Sequence, residues 1–455
     1  MLLFVLGVVI IAVGVALSIA LHEVGHLVPA KLFGVKVTQY MIGFGPTLFS
    51  RRRGETEYGV KAIPLGGYIA MIGMYPPKHE GDPVTESAVG MFKGIGAQPS
   101  DARSTTRTSM IDEARAASAE TVGEGEEHRA FYRLAVWKRV VIMFGGPFMN
   151  LVIATVLFTV LLCGIGVAQS TSTISTVSQC VVPATDTSTE SCSADDPLAP
   201  GAAAGILPGD TITSIDDTPV SSWDDLTPLI RESANTPLSV VVERDGESRT
   251  LTITPVENEV AVTDASGAVV TDSTGATETQ TVGFIGISPT TALVQQPITA
   301  VPETVWTNIT SVAHVILNLP QRLYDVAQAA FGSEERDANG PISVVGVGRI
   351  AGEIAASDQL PVVSKVQTMV GVLASLNVAL LVFNLVPLLP MDGGHIAGAL
   401  WEGLRRRLAK LFGKRDPGPV DIAKLLPLTY VVVLILGSMS ALLIYADIVK
   451  PIRLF

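Results

Sequence analysis

Charge is scarce in this chain. Only 16% of its 455 residues are Asp, Glu, Lys or Arg, against roughly 25% in soluble domains. With 48% hydrophobic residues, that shortage excludes an ordinary soluble protein of this length. Cysteine is scarce too. There are three, at no spacing that would build a thiolate metal site. Cys163 lies in an apolar run and reads as packing. Cys180 and Cys192 lie in a segment expected outside the cell, where a disulfide can form; a bridge and two free thiols both stay open. No Lys or Arg precedes the first apolar run. "ALSIA" ends in the small residues of a cleavage site, but the positive charge follows the run. That favours an uncleaved helix with its N-terminus outside over a secretory signal. No long internal repeat is present.

The apolar residues collect in four runs, near 2–21, 140–168, 366–389 and 427–449. Each is about long enough to cross a ~30 Å hydrocarbon core as a helix. The net charge of −12 hides an uneven distribution. Residues 170–300 hold 18 acidic and three basic side chains. The basic residues elsewhere cluster beside the apolar runs: Lys31, Lys36 and Arg51–Arg53; Arg133, Lys138 and Arg139; Arg405–Arg407, Lys410, Lys414 and Arg415. Lys and Arg stay on the cytoplasmic side of membrane proteins. The expectation is therefore 31–139 and 400–424 in the cytoplasm, with 165–365 and both termini outside. These short juxtamembrane clusters are topology signals, and no nucleic-acid partner is expected.

Between the runs the composition changes several times. Residues 33–75 alternate around Gly turns, as strands do. Residues 76–138 begin with a Pro-, Ser- and charge-rich stretch that suggests a partly disordered cytoplasmic insertion. They end in the basic amphipathic "AFYRLAVWKRV". Residues 170–289 carry strand-like "TITSI" and "LSVVVER", helix-like "SWDDLTPLIRE" and a hairpin signal, "RDGE". A Thr-rich acidic insertion at 257–282 interrupts this small α+β domain. Residues 297–331 place Val301, Val305, Ile309, Val312, Ile316 and Leu319 on one helical face, expected along the outer membrane surface. Residues 332–363 read as a connector.

The first apolar run ends in "SIALHEVGH". His22 and His26 are four residues apart, so both imidazoles leave one helix face. Such a pair binds Zn²⁺ while the intervening Glu23 handles protons of the attacking water. Ionisable groups at the end of a span are costly unless they are paired or functional. A catalytic zinc needs a third protein ligand. Asp392, in "NLVPLLPMDGGH" (384–395), ends the third run at the same expected depth. Pro387, Pro390, Gly393 and Gly394 break the helix there, and irregular backbone at membrane depth belongs where it lines a cavity. His395 is the rival ligand.

"HEVGH", "GFGP", "PLGGY", "GGPFMN" and "NLVPLLPMDGGH", in that order, closely resemble the bacterial site-2 proteases, which are intramembrane zinc metalloproteases. The resemblance covers the whole chain. It implies four transmembrane helices (1–32, 139–168, 364–395 and 426–449), a membrane-associated β-hairpin region at 33–75 and an extracytoplasmic PDZ domain at 170–289. An amphipathic helix and connector would fill 296–363, and 400–424 would be a basic cytoplasmic segment. It implies one Zn²⁺ per chain on His22, His26 and Asp392, with Glu23 as general base. Asn384 would hold the substrate near the metal, Asn150 would face the site, and the strand carrying Gly66 and Gly67 would pair with an unwound substrate. The PDZ groove would lie at Gly205, Ile206, Gly209 and Asp210. Expected partners are the lipid bilayer of the bacterial inner membrane, single-span proteins such as anti-sigma factors or signal-peptide remnants, and an upstream protease that cuts first. A metal transporter would need repeated His or Asp positions across several spans, which are missing. An inactive scaffold would have no use for Glu23.

Overall fold

The computed structural model describes residues 1–76, 118, 122–123, 125–181, 192, 197–262, 279–332, 336–337, 340–358 and 360–452. Most of the expected insertions at 76–128 and 257–282 lie outside the described residues. The chain divides into two compact units, one formed by Met1–Gly164 with Pro297–Phe455 and the other by Ile165–Gln296.

The first unit holds four helices long and apolar enough to cross a membrane: Leu2–Leu32, Val136–Ile165, Val362–Asn384 and Ile422–Val449. Val and Ile fill much of the first, α1 (Leu2–Leu32). In water they are mediocre helix formers. In lipid a helix satisfies every backbone group within the segment, which overrides propensity. Helix α2 (Val136–Thr159) continues in a π turn to Ile165 and crosses α1 where Gly25 meets Gly145. A Cβ on either glycine would overlap the carbonyl oxygen of the other.

Strands β1 (Val37–Arg53) and β2 (Thr56–Met71) are folded back on themselves. Residues 39–42 pair with Ala70–Gly67 on one side and with Glu57–Val60 on the other. The 67–71 segment is consequently an edge, with no further strand on it among the described residues. Arg129 clamps this region by two hydrogen bonds to Glu55, at 2.8 and 2.7 Å. They hold the Glu55 carboxyl below its ordinary pKa.

The single amphipathic face expected over 297–331 is two helices, α4 (Ala300–Leu317) and α5 (Leu319–Phe331), divided at Asn318 with a proline in the first turn of α5. The connector expected at 332–363 contains helix α6 (Val344–Ala356). Its three glycines weaken any helical signal. Two of them serve packing instead: a Cβ at Gly352 would meet Phe4 at 2.6 Å and one at Gly346 would overlap Asp447, while from α1 a Cβ at Gly7 would meet the Ala355 methyl at 2.7 Å. Such small-residue seams let membrane helices approach closely. Seven residues separate helix α7 (Val362–Asn384) from α8 (Asp392–Leu411). Much of the basic segment expected as 400–424 is thus helical. Helix α9 (Leu426–Val449) packs on α5 and α6.

In the second unit, β3 (Val167–Val177), β4 (Thr211–Ile215), β5 (Thr218–Pro219), β6 (Leu238–Arg244), β7 (Glu247–Ile253) and β10 (Ile287–Val294) form one antiparallel sheet. Its order is β10-β3-β4-β6-β7, with β5 on β4. Strands β8 (Val256–Ala261) and β9 (Thr279–Phe284) make a separate pair. Helix α3 (Trp223–Arg231) starts in a capping box between Ser222 and Asp225 and buries Leu226 and Ile230 against Ile212, Val240 and Ile253. Asp245 and Gly246, both at positive φ, close the β6–β7 hairpin as a two-residue turn demands. Cys180 and Cys192 are bridged.

Candidate metal centre

Three side chains from two distant parts of the sequence converge in the first unit. One ligand atom from each of His22, His26 and Asp392 falls within a 4.8 Å group. The His22 and His26 Nε2 atoms are 3.2 Å apart. Asp392 Oδ2 lies 3.4 Å from the first and 3.3 Å from the second. Tetrahedral zinc with bonds of about 2.0–2.1 Å has ligand–ligand edges of about 3.3 Å. All three edges match.

The donor set points the same way. His26 Nδ1 lies 2.8 Å from the Ile142 carbonyl of α2. A carbonyl only accepts, so Nδ1 carries the proton and Nε2 offers its lone pair. His22 Nδ1 lies 3.0 Å from the side-chain amide of Asn150, whose Oδ1 is buried with no hydrogen-bond partner. Amide N and O are assigned from the hydrogen-bond network. Turning the Asn150 amide gives the orphan oxygen a donor and frees His22 Nε2 as well. Two imidazole lone pairs and a carboxylate oxygen then meet with no proton between them. A cation resolves that repulsion, and the buried Asp392 Oδ2, itself without a hydrogen-bond partner, is where it would be held. The residues fit zinc.

Local sequence explains the convergence. Asp392 is the first residue of α8, where a negative charge is favoured by the helix N-terminus. The following glycines let the helix start against the loop that precedes it: a Cβ at Gly394 would meet the Leu389 nitrogen at 2.7 Å. On α2, a Cβ at Gly146 would overlap His26 Nε2 and come within 2.7 Å of His22 Nε2. Ser18, one turn before His22, receives a 3.0 Å hydrogen bond from fully buried Asn377 of α7, which pins α1 to α7.

Glu23 is buried beside the pair. The edge segment of β2 passes over it, so that a Cβ at Gly67 would meet Glu23 Cγ at 3.0 Å. Gly66 has φ +145 and packs so close to the Phe44 ring that a side chain there would clash; one at Gly67 would press on Glu23 and Ile19. Asn384 closes α7, half-buried, and no hydrogen bond ties it to the triad among the described residues. His395 is in the first turn of α8, its Nδ1 buried without a partner, and is not one of the three converging groups. The sequence motifs flagged His22, Glu23, His26, Asp392 and Asn150. They did not reveal why Gly145, Gly146 and the Ile142 carbonyl matter, because those roles depend on which helices cross.

Comparison with known proteins decides the family. The chain matches the description of Peptidase family M50 over residues 10–415. It belongs to that family. It is 35% identical over 462 residues, covering all of both chains, to the zinc metalloprotease Rip1 of Mycobacterium tuberculosis. It is 28% identical over 416 residues to the metalloprotease MmpA of Caulobacter vibrioides, covering 89% of this chain and 86% of the relative. It is 29% identical over 290 residues to the zinc metalloprotease RasP of Oceanobacillus iheyensis, covering 55% and 62%. The chain is a zinc metalloprotease of the M50 family, and the site-2 protease resemblance of its motifs holds over the full length.

The four residues expected to form a PDZ groove lie in the turn that leads into β4. Buried Asp210 takes two 2.6 Å hydrogen bonds from Arg244, which also donates to the Gly205 carbonyl at 2.7 Å. This brace, with the Leu207 amide, holds the Asp210 carboxyl below its usual range. Ile206 is in the hydrophobic core, and Gly209 occupies a left-handed turn at φ +94. One concavity of this unit lies between α3 and residues 282–287. It is a cavity of about 200 Å³ lined by Trp223, Leu226, Thr227, Ile230 and Phe284, among others.

Proposed function

We propose that this M50 enzyme is an intramembrane endopeptidase that makes the second cut in single-span membrane proteins, after an outside protease has trimmed them. The observation that carries the reading is the position of the triad and Glu23. They stand on, or converge with, a helix apolar enough to span a bilayer, so the scissile bond must come to them within the membrane. Anti-sigma factors and signal-peptide remnants are the substrate class that the motif resemblance supports.

His22, His26 and Asp392 would hold the zinc, which when bound would polarise the scissile carbonyl and acidify the attacking water. Glu23 takes a proton from that water as its oxygen adds to the carbonyl carbon. It delivers the proton to the amide nitrogen as the C–N bond breaks. Asn150 is fully buried. Its role is to fix the His22 ring, in place of a substrate contact, and such outer partners tune a metal site strongly. A helical substrate must unwind before attack. The free edge at Gly67–Met71 offers its unwound backbone a strand partner next to Glu23, and Asn384 steadies the carbonyl side. The basic clusters support a topology with the triad near the cytoplasmic face and residues 165–296 outside. We read that unit as a PDZ domain whose α3 cavity screens or binds substrate ends.

The test is cleavage of a trimmed single-span anti-sigma-type substrate in detergent. The wild type cuts it and a zinc chelator stops the reaction. Glu23→Gln retains zinc but does not cut. Turnover by Glu23→Gln would sink the assignment of the base.

A further inference from the structure

Helix α8 carries the third metal ligand at its first residue, and its opposite end has no role in the site. One face packs on α2 through Ala399 and Glu402, the latter ion-paired to buried Arg139. The other face is apolar and uncovered: Leu400 (55%), Trp401 (55%), Leu404 (47%), Leu408 (42%) and Leu411 (77%) are exposed. At about 100° per residue these five positions fall within one arc of roughly 100°. Arg405 and Arg407 flank the arc on its two sides, and Lys410 and Lys414 follow. Arg406 is turned away to Glu402 and Asp416.

The arc continues into a cavity of about 340 Å³ between α8 and the start of α9, lined by Leu388, Leu389, Ala397, Trp401, Leu425 and Leu428, among others, with Lys424 at its margin. Its size is at the lower end of the roughly 300–1,000 Å³ of ligand pockets. Chain connectivity locates it. The α7 span ends at Asn384 and the last candidate span opens at Ile422. The 20-residue α8 between them starts and finishes at the same membrane face.

We propose that the exposed arc of α8 and the α8–α9 groove form a binding site for anionic phospholipid of the leaflet on the triad's side. Acyl chain fills the apolar groove along Leu389, Trp401 and Leu428. Arg405, Arg407 and Lys424 reach the headgroup phosphate while their stems lie on apolar surface. An apolar arc with basic flanks selects an anionic surface over a neutral one, by about fivefold for each basic residue near it.

Trp401 provides the probe. The full-length protein is reconstituted into vesicles of neutral phosphatidylcholine holding equal mole fractions of brominated phosphatidylglycerol or brominated phosphatidylcholine. Fluorescence quenching is measured for the wild type and for Trp401→Phe, whose difference isolates this residue. Trp401 is expected to be quenched by both lipids, and by the phosphatidylglycerol at about fivefold lower mole fraction or less. The triple substitution Arg405→Gln, Arg407→Gln, Lys424→Gln should abolish that preference while zinc content stays equal to wild type. Equal quenching by the two lipids in the wild type would overturn the proposal. So would a Trp401 shielded from both, with crosslinking between copies showing that a second chain covers the face. The wild-type comparison decides even if the triple variant does not fold.

Discussion

Substituting Gly146 by alanine inserts one methyl group into the centre of the metal site. Its Cβ would stand 2.7 Å from His22 Nε2 and overlap His26 Nε2, where real Cβ atoms stay beyond 3.0 Å. His22 must retreat by at least about 0.3 Å and His26 by more. Metal–ligand distances tolerate only about 0.2 Å. Neither ring can simply turn, because His26 is held at Nδ1 by the Ile142 carbonyl and His22 by Asn150. Helix α2 cannot back away either, since Gly25 and Gly145 lock it to α1 one residue earlier. At least one imidazole is therefore lost as a ligand. The expected fall in zinc affinity exceeds the roughly 10- to 100-fold typical of losing an outer-shell partner. The assay is zinc content after equilibration against buffers of fixed free zinc. Gly437→Ala serves as control, on a spanning helix with no neighbour within 4 Å of the added methyl. Full occupancy of Gly146→Ala at the same free zinc as the control would refute this packing argument.

Other consequences follow from individual contacts. Asn150→Leu should weaken zinc binding by about 10- to 100-fold, whereas Asn150→Asp, which still accepts from His22 Nδ1, should stay close to wild type; equal losses in both, read by competition with a chromophoric chelator, would remove Asn150 from its orienting role. Asp210 has a lowered folded pKa because Arg244 hydrogen-bonds its carboxylate. Its contribution is fully present above the unfolded carboxyl pKa of ~3.9 and is lost as the pH falls through the lower folded value. Asp210→Asn should accordingly lower the hydrogen-exchange protection factors of Ile212 and Val242 at neutral pH and flatten their fall on acidification; an unchanged acid limb would contradict the brace. Arg139→Met leaves fully buried Glu402 with Arg406 and the Val420 amide as its remaining partners, and should cost less in denaturant unfolding than the roughly 3–5 kcal/mol of an unpaired buried charge. Arg139→Met with Glu402→Leu should recover most of it, and a double variant as unstable as the single one would count against that account.

Much of the site was legible because its chemistry is written in short motifs. The i, i+4 spacing of His22 and His26 needs only helix geometry. Asp392 could be picked out because a carboxylate at the end of an apolar run demands a reason. What could not be read was which backbone comes within touching distance. Gly7, Gly25, Gly145, Gly146 and Gly352 look like helix breakers in a propensity scan, and only the helix crossings show that each admits a neighbour. Helix α6 was hidden for the same cause. Its start is fixed by Ser343, which caps Val345 and Gly346, and by Asp447 of α9, which accepts from the Ser343 amide at 2.7 Å, a partner 104 residues away. In the second unit the groove expected at Gly205–Asp210 rests on motif resemblance, and the motif does not show that Arg244, on another strand, hydrogen-bonds Asp210.

If His22, His26 and Asp392 share one zinc ion, zinc K-edge absorption spectroscopy on the purified protein will show it. The expected result is one zinc per chain in a four-coordinate shell of two imidazole nitrogens and oxygen ligands at about 2.0–2.1 Å, with the shell altered and the affinity reduced in Asp392→Ala. A zinc environment that is unchanged in Asp392→Ala, or one containing sulfur from Cys163, would contradict it.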